Sequence, residues 1–123
     1  MKINVGIIGL GEVAQLVHLP ILSDLNNKYR IKAVADISPS LNDFIVNKYN
    51  ISDSYFNPSE IINDPEIDAV FVLSPDQHHF EFVQKAIKHG KHIFVEKPAT
   101  LNIQQLKELI ELEDSFPNQI TMV

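Results

Sequence analysis

The chain has 123 residues, enough for one domain with a real core, and its 45% hydrophobic and 21% charged residues are ordinary globular usage. Sixteen acidic against ten basic residues leave a net charge of −6, and no Lys/Arg cluster supplies phosphate contacts, which excludes nucleic acid and a membrane surface as partners. Cysteine is absent, ruling out disulfides and thiolate zinc sites; no apolar stretch approaches a membrane span, and a strand starting near Lys2 leaves no room for a signal peptide. A soluble cytoplasmic domain without a metal is expected.

Ile3 to Ile8 is a short apolar, β-branched run of the buried parallel-strand kind. It leads into Gly9-x-Gly11-x-x-Ala14 and then into Val13-Ala14-Gln15-Leu16-Val17, which reads as helix. Gly9 lets the chain turn at the strand end, Gly11 leaves room for a pyrophosphate against the backbone, and Ala14 lets helix and strand pack closely. The first N–H groups of the helix, near Glu12 and Val13, face an anion along the positive end of the helix dipole. The acidic Glu12 side chain should point to solvent. Gly9, Gly11, Glu12, Val13 and Ala14 thus form the expected phosphate turn. Pro20 predicts a break or kink in the helix, which ends at Asn26-Asn27. His18 reads either as a ligand contact or as a partly buried helix histidine.

Arg30 to Asp36 is the second strand, and Asp36 lies where a dinucleotide fold places the carboxylate that binds ribose hydroxyls. The alternative is a turn or cap acid, because Ser38-Pro39 follows and starts a helix. In the ribose role, the anion repels a 2′-phosphate and no Arg follows at Ile37 or Ser38, so NAD is expected rather than NADP. Leu41, Phe44, Ile45 and Tyr49 recur at helical spacing. Ser54-Tyr55-Phe56 reads as an edge strand, and Asn57-Pro58 opens a brief helix through Ile62 that Asp64-Pro65 stops.

Asp68 to Leu73 is a central strand ending in Ser74-Pro75-Asp76-Gln77-His78-His79. The helix from there to His89 carries Phe80, Val83, Ala86 and Ile87 inward, with Gly90 just past its end. Lys91 to Val95 is the fifth strand and ends in Glu96-Lys97-Pro98. Asn102 and Gln105 form a capping box for a helix whose buried stripe is Leu106, Leu109, Ile110 and Leu112. Gln119 to Val123 is a sixth strand. Alternating strands and helices at this rhythm predict an α/β doubly wound parallel (Rossmann) sheet of order 3-2-1-4-5-6, with ligands at the carboxyl ends of its strands. Every polar motif named above sits at such an end.

With Glu96-Lys97-Pro98 in place, the chain resembles the cofactor domain of the Gfo/Idh/MocA oxidoreductases. The likeness runs from Lys2 to Val123 and rests on Gly9-x-Gly11-x-Val13-Ala14, Asp36, Ser74-Pro75-Asp76-x-x-His79, Gly90-Lys91-His92 and Glu96-Lys97-Pro98. The resemblance implies that Lys97 is catalytic, contacting the substrate hydroxyl and the nicotinamide ribose. It implies further that Glu96 lines the nicotinamide end and that Ser74, Pro75 and His79 line the cofactor cleft. Asp76 stands where the family often has Asn. An amine desolvated between cofactor and substrate gives up its proton more readily, which suits proton exchange; the alternative is a surface Lys–Glu pair at a strand end. A cis Lys97-Pro98 bond would aim the lysine into the cleft.

The resemblance also implies a second domain beyond Val123 that carries the substrate pocket and the oligomer interface, so that residues 1–123 are the dinucleotide-binding domain alone. The expected function is an NAD-dependent dehydrogenase moving hydride to or from a secondary alcohol of a sugar, cyclitol or related small molecule, homo-oligomeric when whole and inactive as this fragment. The alternative is a nucleotide-binding sensor that has lost catalysis, against which the intact Glu96-Lys97-Pro98 argues.

Overall fold

The computed structural model describes residues 1–123 and contains one six-stranded sheet. Strand β1 (Ile3–Ile8) is followed by a π-helical turn, Ala14–His18, that runs into α1 (Leu19–Asp24). Then come β2 (Tyr29–Ala35), α2 (Pro39–Tyr49), β3 (Asp53–Tyr55), α3 (Pro58–Asn63) and β4 (Ala69–Val72). A 3-10 turn, Asp76–His78, leads to α4 (His79–Lys88), β5 (His92–Val95), α5 (Ile103–Ser115) and β6 (Thr121–Met122). All pairings are parallel and the order is β3-β2-β1-β4-β5-β6, the predicted doubly wound arrangement. Hairpins cannot link parallel strands, so each connection crosses a face of the sheet and covers it.

Two apolar clusters result. Val5, Ile7, Leu10, Ala14, Leu19, Val34 and Ile45 fill the face under α1 and α2, and Ile8, Ala33, Val70, Val72, Val83, Ile87 and Leu109 fill the face under α3 to α5. Successive strand residues alternate between these clusters, as pleated strands require. Helix starts follow local chemistry. Ser38, Asn57 and Asn102 each accept a backbone N–H of the following turn, from Leu41 (3.3 Å), Ser59 (2.9 Å) and Gln105 (2.9 Å). Gln105 answers by accepting the Leu101 N–H at 3.4 Å, one residue before the cap.

Three expectations need correction. Pro20 does not break its helix: the preceding turn widens instead, with the Leu19 N–H donating to Ala14 O, five residues back, and the chain stays helical through Asp24. The edge strand begins at Asp53 and leaves Phe56 outside it, 60% exposed. Along α5 only Leu109 is buried, while Leu106 and Ile110 are 42% and 51% exposed, because α5 rests on α4 and covers only the row facing it. Phe44 of α2 is exposed beneath the Lys48 ammonium, and Asn42 takes the buried position.

At the amino ends of the strands, β2 carries an extra residue, Lys32, between the partners of Val5 and Gly6. Its ammonium meets Asp64 (3.0 Å), Asp53 (3.2 Å) and Glu66 (3.3 Å). Lys91, also buried, donates to the carbonyls of Asp64 and Ile67 (2.5 and 2.7 Å). Two lysines from different strands thus hold the turn between α3 and β4, away from the opposite rim where the site lies.

Candidate functional site

The carboxyl ends of β2, β1, β4 and β5 present, in that spatial order, Asp36, the glycine turn, Ser74-Pro75 and Glu96-Lys97. Three inter-strand steps of roughly 4.8 Å separate the first from the last, so the motifs mark an extended site of about 14 Å.

The two glycines of the turn differ in cause. Gly9 has φ +94°, and a Cβ there would lie 2.6 Å from Ser74 N and 2.7 Å from Leu73 C, so the fold itself demands glycine. Gly11 has ordinary φ, and a Cβ there would meet no atom within 4 Å. Nothing inside the chain requires glycine at this position; the absent side chain leaves a cradle in front of the helix. The first helical bond there is Gln15 N–H to Gly11 O (3.1 Å), so the N–H groups of Glu12, Val13 and Ala14 have no helical carbonyl behind them. Glu12 is exposed and Ala14 is buried against the sheet. An open cradle rimmed by unpaired donors fits a pyrophosphate.

Asp36 ties this turn to β2. One carboxylate oxygen accepts the Leu10 N–H and the other the Ser38 N–H, each at 2.9 Å. The turn-acid geometry is therefore realised, and the half-buried carboxylate still opens onto a groove of about 260 Å³ shared with Gly9, Ser74 and Pro75. That volume lies below the roughly 300–1,000 Å³ of complete ligand pockets, which suits one heterocycle rather than a whole dinucleotide. Its apolar walls, Ile37, Phe56 and Phe82 with the ring of His78, include three residues that sequence reasoning did not single out for the site.

His79 does not line the cleft. It is 1% exposed, and its ring nitrogens Nδ1 and Nε2 face the carbonyl oxygens of Pro98 (2.6 Å) and Ser74 (2.7 Å). The two carbonyls occupy both ring nitrogens, so neither nitrogen is presented to a ligand. The neighbouring His78 is the histidine on the groove.

At the far end, the Glu96 N–H donates to Val72 O (3.1 Å) and so fastens the turn to β4. The Glu96 carboxylate accepts from His18 Nε2 at 3.3 Å. The His18 ring packs against Phe71 and Phe94, with centroids 5.9 and 5.0 Å away. The helix-histidine alternative therefore describes His18, with Glu96 as the partner that sequence reading did not foresee. Lys97 is exposed on the rim, and the Lys97-Pro98 bond is cis as expected. No group of three or more His, Asp or Glu residues could hold a metal ion, and no helix is long and apolar enough to cross a membrane.

Comparison with known proteins agrees with this geometry. The chain is 33% identical over 124 residues to an inositol 2-dehydrogenase of Azotobacter vinelandii, covering 100% of this chain and 36% of that protein. It is 32% identical over 108 residues to a myo-inositol 2-dehydrogenase of Thermotoga maritima, covering 88% of this chain and 32% of that protein. The chain thus spans about a third of the length of these curated relatives. Among solved structures, the scyllo-inositol dehydrogenase of Lactobacillus casei with bound NAD(H) and scyllo-inositol superposes with a TM-score of 0.93 at 24% identity, covering 99% of this chain and 36% of that one. At that identity the likeness shows the fold. Residues 3–123 match the Gfo/Idh/MocA family, an oxidoreductase family with an NAD-binding Rossmann fold, and the chain belongs to it.

Proposed function

We propose that this chain is the cofactor-binding part of an NAD-dependent dehydrogenase that oxidises a secondary alcohol of a sugar, cyclitol or related polyol, or reduces the matching ketone. The observation that carries the reading is the cradle at Gly11: glycine stands where the fold does not need it and a dinucleotide does. The named activities of the inositol dehydrogenase relatives support the substrate class.

In this reading the N–H groups of Glu12, Val13 and Ala14 receive the pyrophosphate beside Gly9 and Gly11. Asp36, already oriented by two backbone donors, accepts from the adenosine ribose hydroxyls and disfavours a 2′-phosphate, which selects NAD over NADP. The apolar groove takes the heterocycle between Ile37, Phe56 and Phe82. Ser74 and Pro75 form the wall beside the glycine turn, and Glu96 and Lys97 stand at the nicotinamide end. His79 serves by joining the Ser74 and Pro98 loops, not by touching cofactor.

A nicotinamide held at that end beside Glu96 and Lys97 would supply the hydride chemistry. The Lys97 amine takes the hydroxyl proton as the carbonyl forms, and returns it when the ketone is reduced. Substrate contacts and any subunit interface are assigned to sequence of the kind that makes up the rest of the relatives' length.

Two measurements test the proposal. The melting temperature of the chain should rise with NADH and much less with NADPH. The product of the whole gene should reduce NAD+ with a polyol, and Lys97→Ala should lose far more turnover than NADH affinity. Unchanged turnover in that variant would remove Lys97 from the chemistry, whereas nucleotide binding with no turnover of any polyol by the wild type would favour a sensor.

A further inference from the structure

Lys97 is held at neither its own side chain nor its own backbone, but at the residues on either side of it. Glu96 is gripped from one face of the sheet, where His18, at the end of the π turn, reaches its carboxylate at 3.3 Å. Pro98 is gripped from the opposite face, where His79, first residue of α4, lies 2.6 Å from its carbonyl oxygen. Each histidine is itself fixed. The His18 side chain is 13% exposed and its ring is seated on the stacked Phe71 and Phe94. His79 is 1% exposed and its second nitrogen is 2.7 Å from Ser74 O, at the end of β4. The elements that carry them lie in different apolar clusters, Ala14 and Leu19 in one, Val83 and Ala86 in the other.

We propose that His18 and His79 are positioning residues that brace the Glu96-Lys97-Pro98 turn from the two faces of the sheet, and so set where the Lys97 amine stands relative to the nicotinamide end. A long, exposed lysine has many rotamers, and its reach is defined only as well as the backbone from which it springs. Each histidine sets a ring nitrogen against an acceptor that flanks Lys97, and neither lines the groove. The inference rests on the proposed role of the Lys97 end in binding nicotinamide.

The test uses His18→Leu, which keeps apolar contact with Phe71 and Phe94 but cannot donate, and His18→Gln, whose amide can still reach Glu96. Affinities for NADH and for ADP are measured by calorimetry, together with the backbone amide resonances of Glu96, Lys97 and Ala99. The brace predicts that His18→Leu weakens NADH about fivefold, the order expected for one hydrogen bond, and leaves ADP unchanged. His18→Gln should restore NADH binding, and the three amides should move in the Leu variant only. Packing alone would make Leu the better substitute, so equal NADH affinity in the two variants, or loss of ADP binding with NADH, overturns the His18 half. For His79, the wild-type proton–nitrogen spectrum should show a slowly exchanging Nδ1–H, and its absence, or a ring proton on Nε2 alone, overturns that half without any variant that must fold. Should the wild type bind neither nucleotide, the functional reading fails, and the amide shifts and ring proton still decide the brace.

Discussion

Gly9 and Gly11 are two residues apart, yet replacing each by alanine should separate folding from binding. At Gly9 the added methyl meets Ser74 N at 2.6 Å and Leu73 C at 2.7 Å, on a backbone with φ +94°. A non-glycine residue in that region costs about 1–3 kcal/mol, and forcing atoms into a filled space about 1–3 more. Gly9→Ala should therefore lose about 2–6 kcal/mol. A domain of this length has an unfolding entropy that converts 1 kcal/mol into about 4 °C, so the melting temperature should fall by roughly 8–24 °C. At Gly11 the methyl meets nothing within 4 Å. Removing a glycine from the unfolded ensemble there should raise stability by about 0.4–1 kcal/mol, a rise of about 2–4 °C. Binding should go the other way. NADH at about a hundred times its dissociation constant adds roughly 2.7 kcal/mol to the wild type, near 10 °C, whereas a hundredfold weaker Gly11→Ala would gain only about 0.4 kcal/mol at the same concentration. Thermal melts with and without NADH read both effects. A Gly11→Ala protein that melts far below wild type, or that keeps the full NADH shift, refutes the assignment of the cradle to a ligand.

Other perturbations are read in the same way. Asp36→Ala should narrow the preference for NADH over NADPH in a titration and lower stability by about 1–3 kcal/mol, because the Leu10 N–H loses its acceptor. Burial acts to raise the Asp64 carboxyl, but the Glu66 N–H and the Lys32 ammonium outweigh it and hold the carboxyl below its usual range, while the hydrogen bonds that Lys32 donates to Asp64, Asp53 and Glu66 push its own ionisation upward against burial. Asp64 thus stabilises the fold above about pH 4 and loses that contribution as pH falls through its folded value; Lys32 contributes fully below about pH 10 and loses it as pH rises through its own. Urea melts across pH should show that plateau, and Lys32→Met should flatten its acid edge and cost about 2–4 kcal/mol by leaving Asp64 unpaired. Asn102→Ala removes the acceptor of the Gln105 N–H and should cost about 1 kcal/mol by denaturant titration.

Much of this protein is legible along the chain because the causes are local. The β-branched runs at Ile3–Ile8 and Ala69–Val72, the caps at Ser38, Asn57 and Asn102, and the spacing Gly9-x-Gly11-x-x-Ala14 each act within a few residues. Their alternation also dictates the sheet order, since crossover connections of one hand admit few others. The exposed Leu106 and Ile110 were misread because periodicity reports which face of a helix is apolar and not whether a neighbour covers it.

By itself, then, the sequence determined the sheet, its order, the glycine turn and the rim on which Asp36, Ser74 and Lys97 stand, because short-range propensity and connection rules suffice for these. Tertiary structure alone decided which glycine serves the fold and which leaves room for a ligand, and that His78 borders the groove while His79 is buried between two carbonyls. It also decided that Lys32 gathers three acids from distant segments, and that His18 meets Glu96 across 78 residues of chain. Such pairings depend on where folding brings atoms within about 3 Å of one another, a distance that no spacing along the chain encodes.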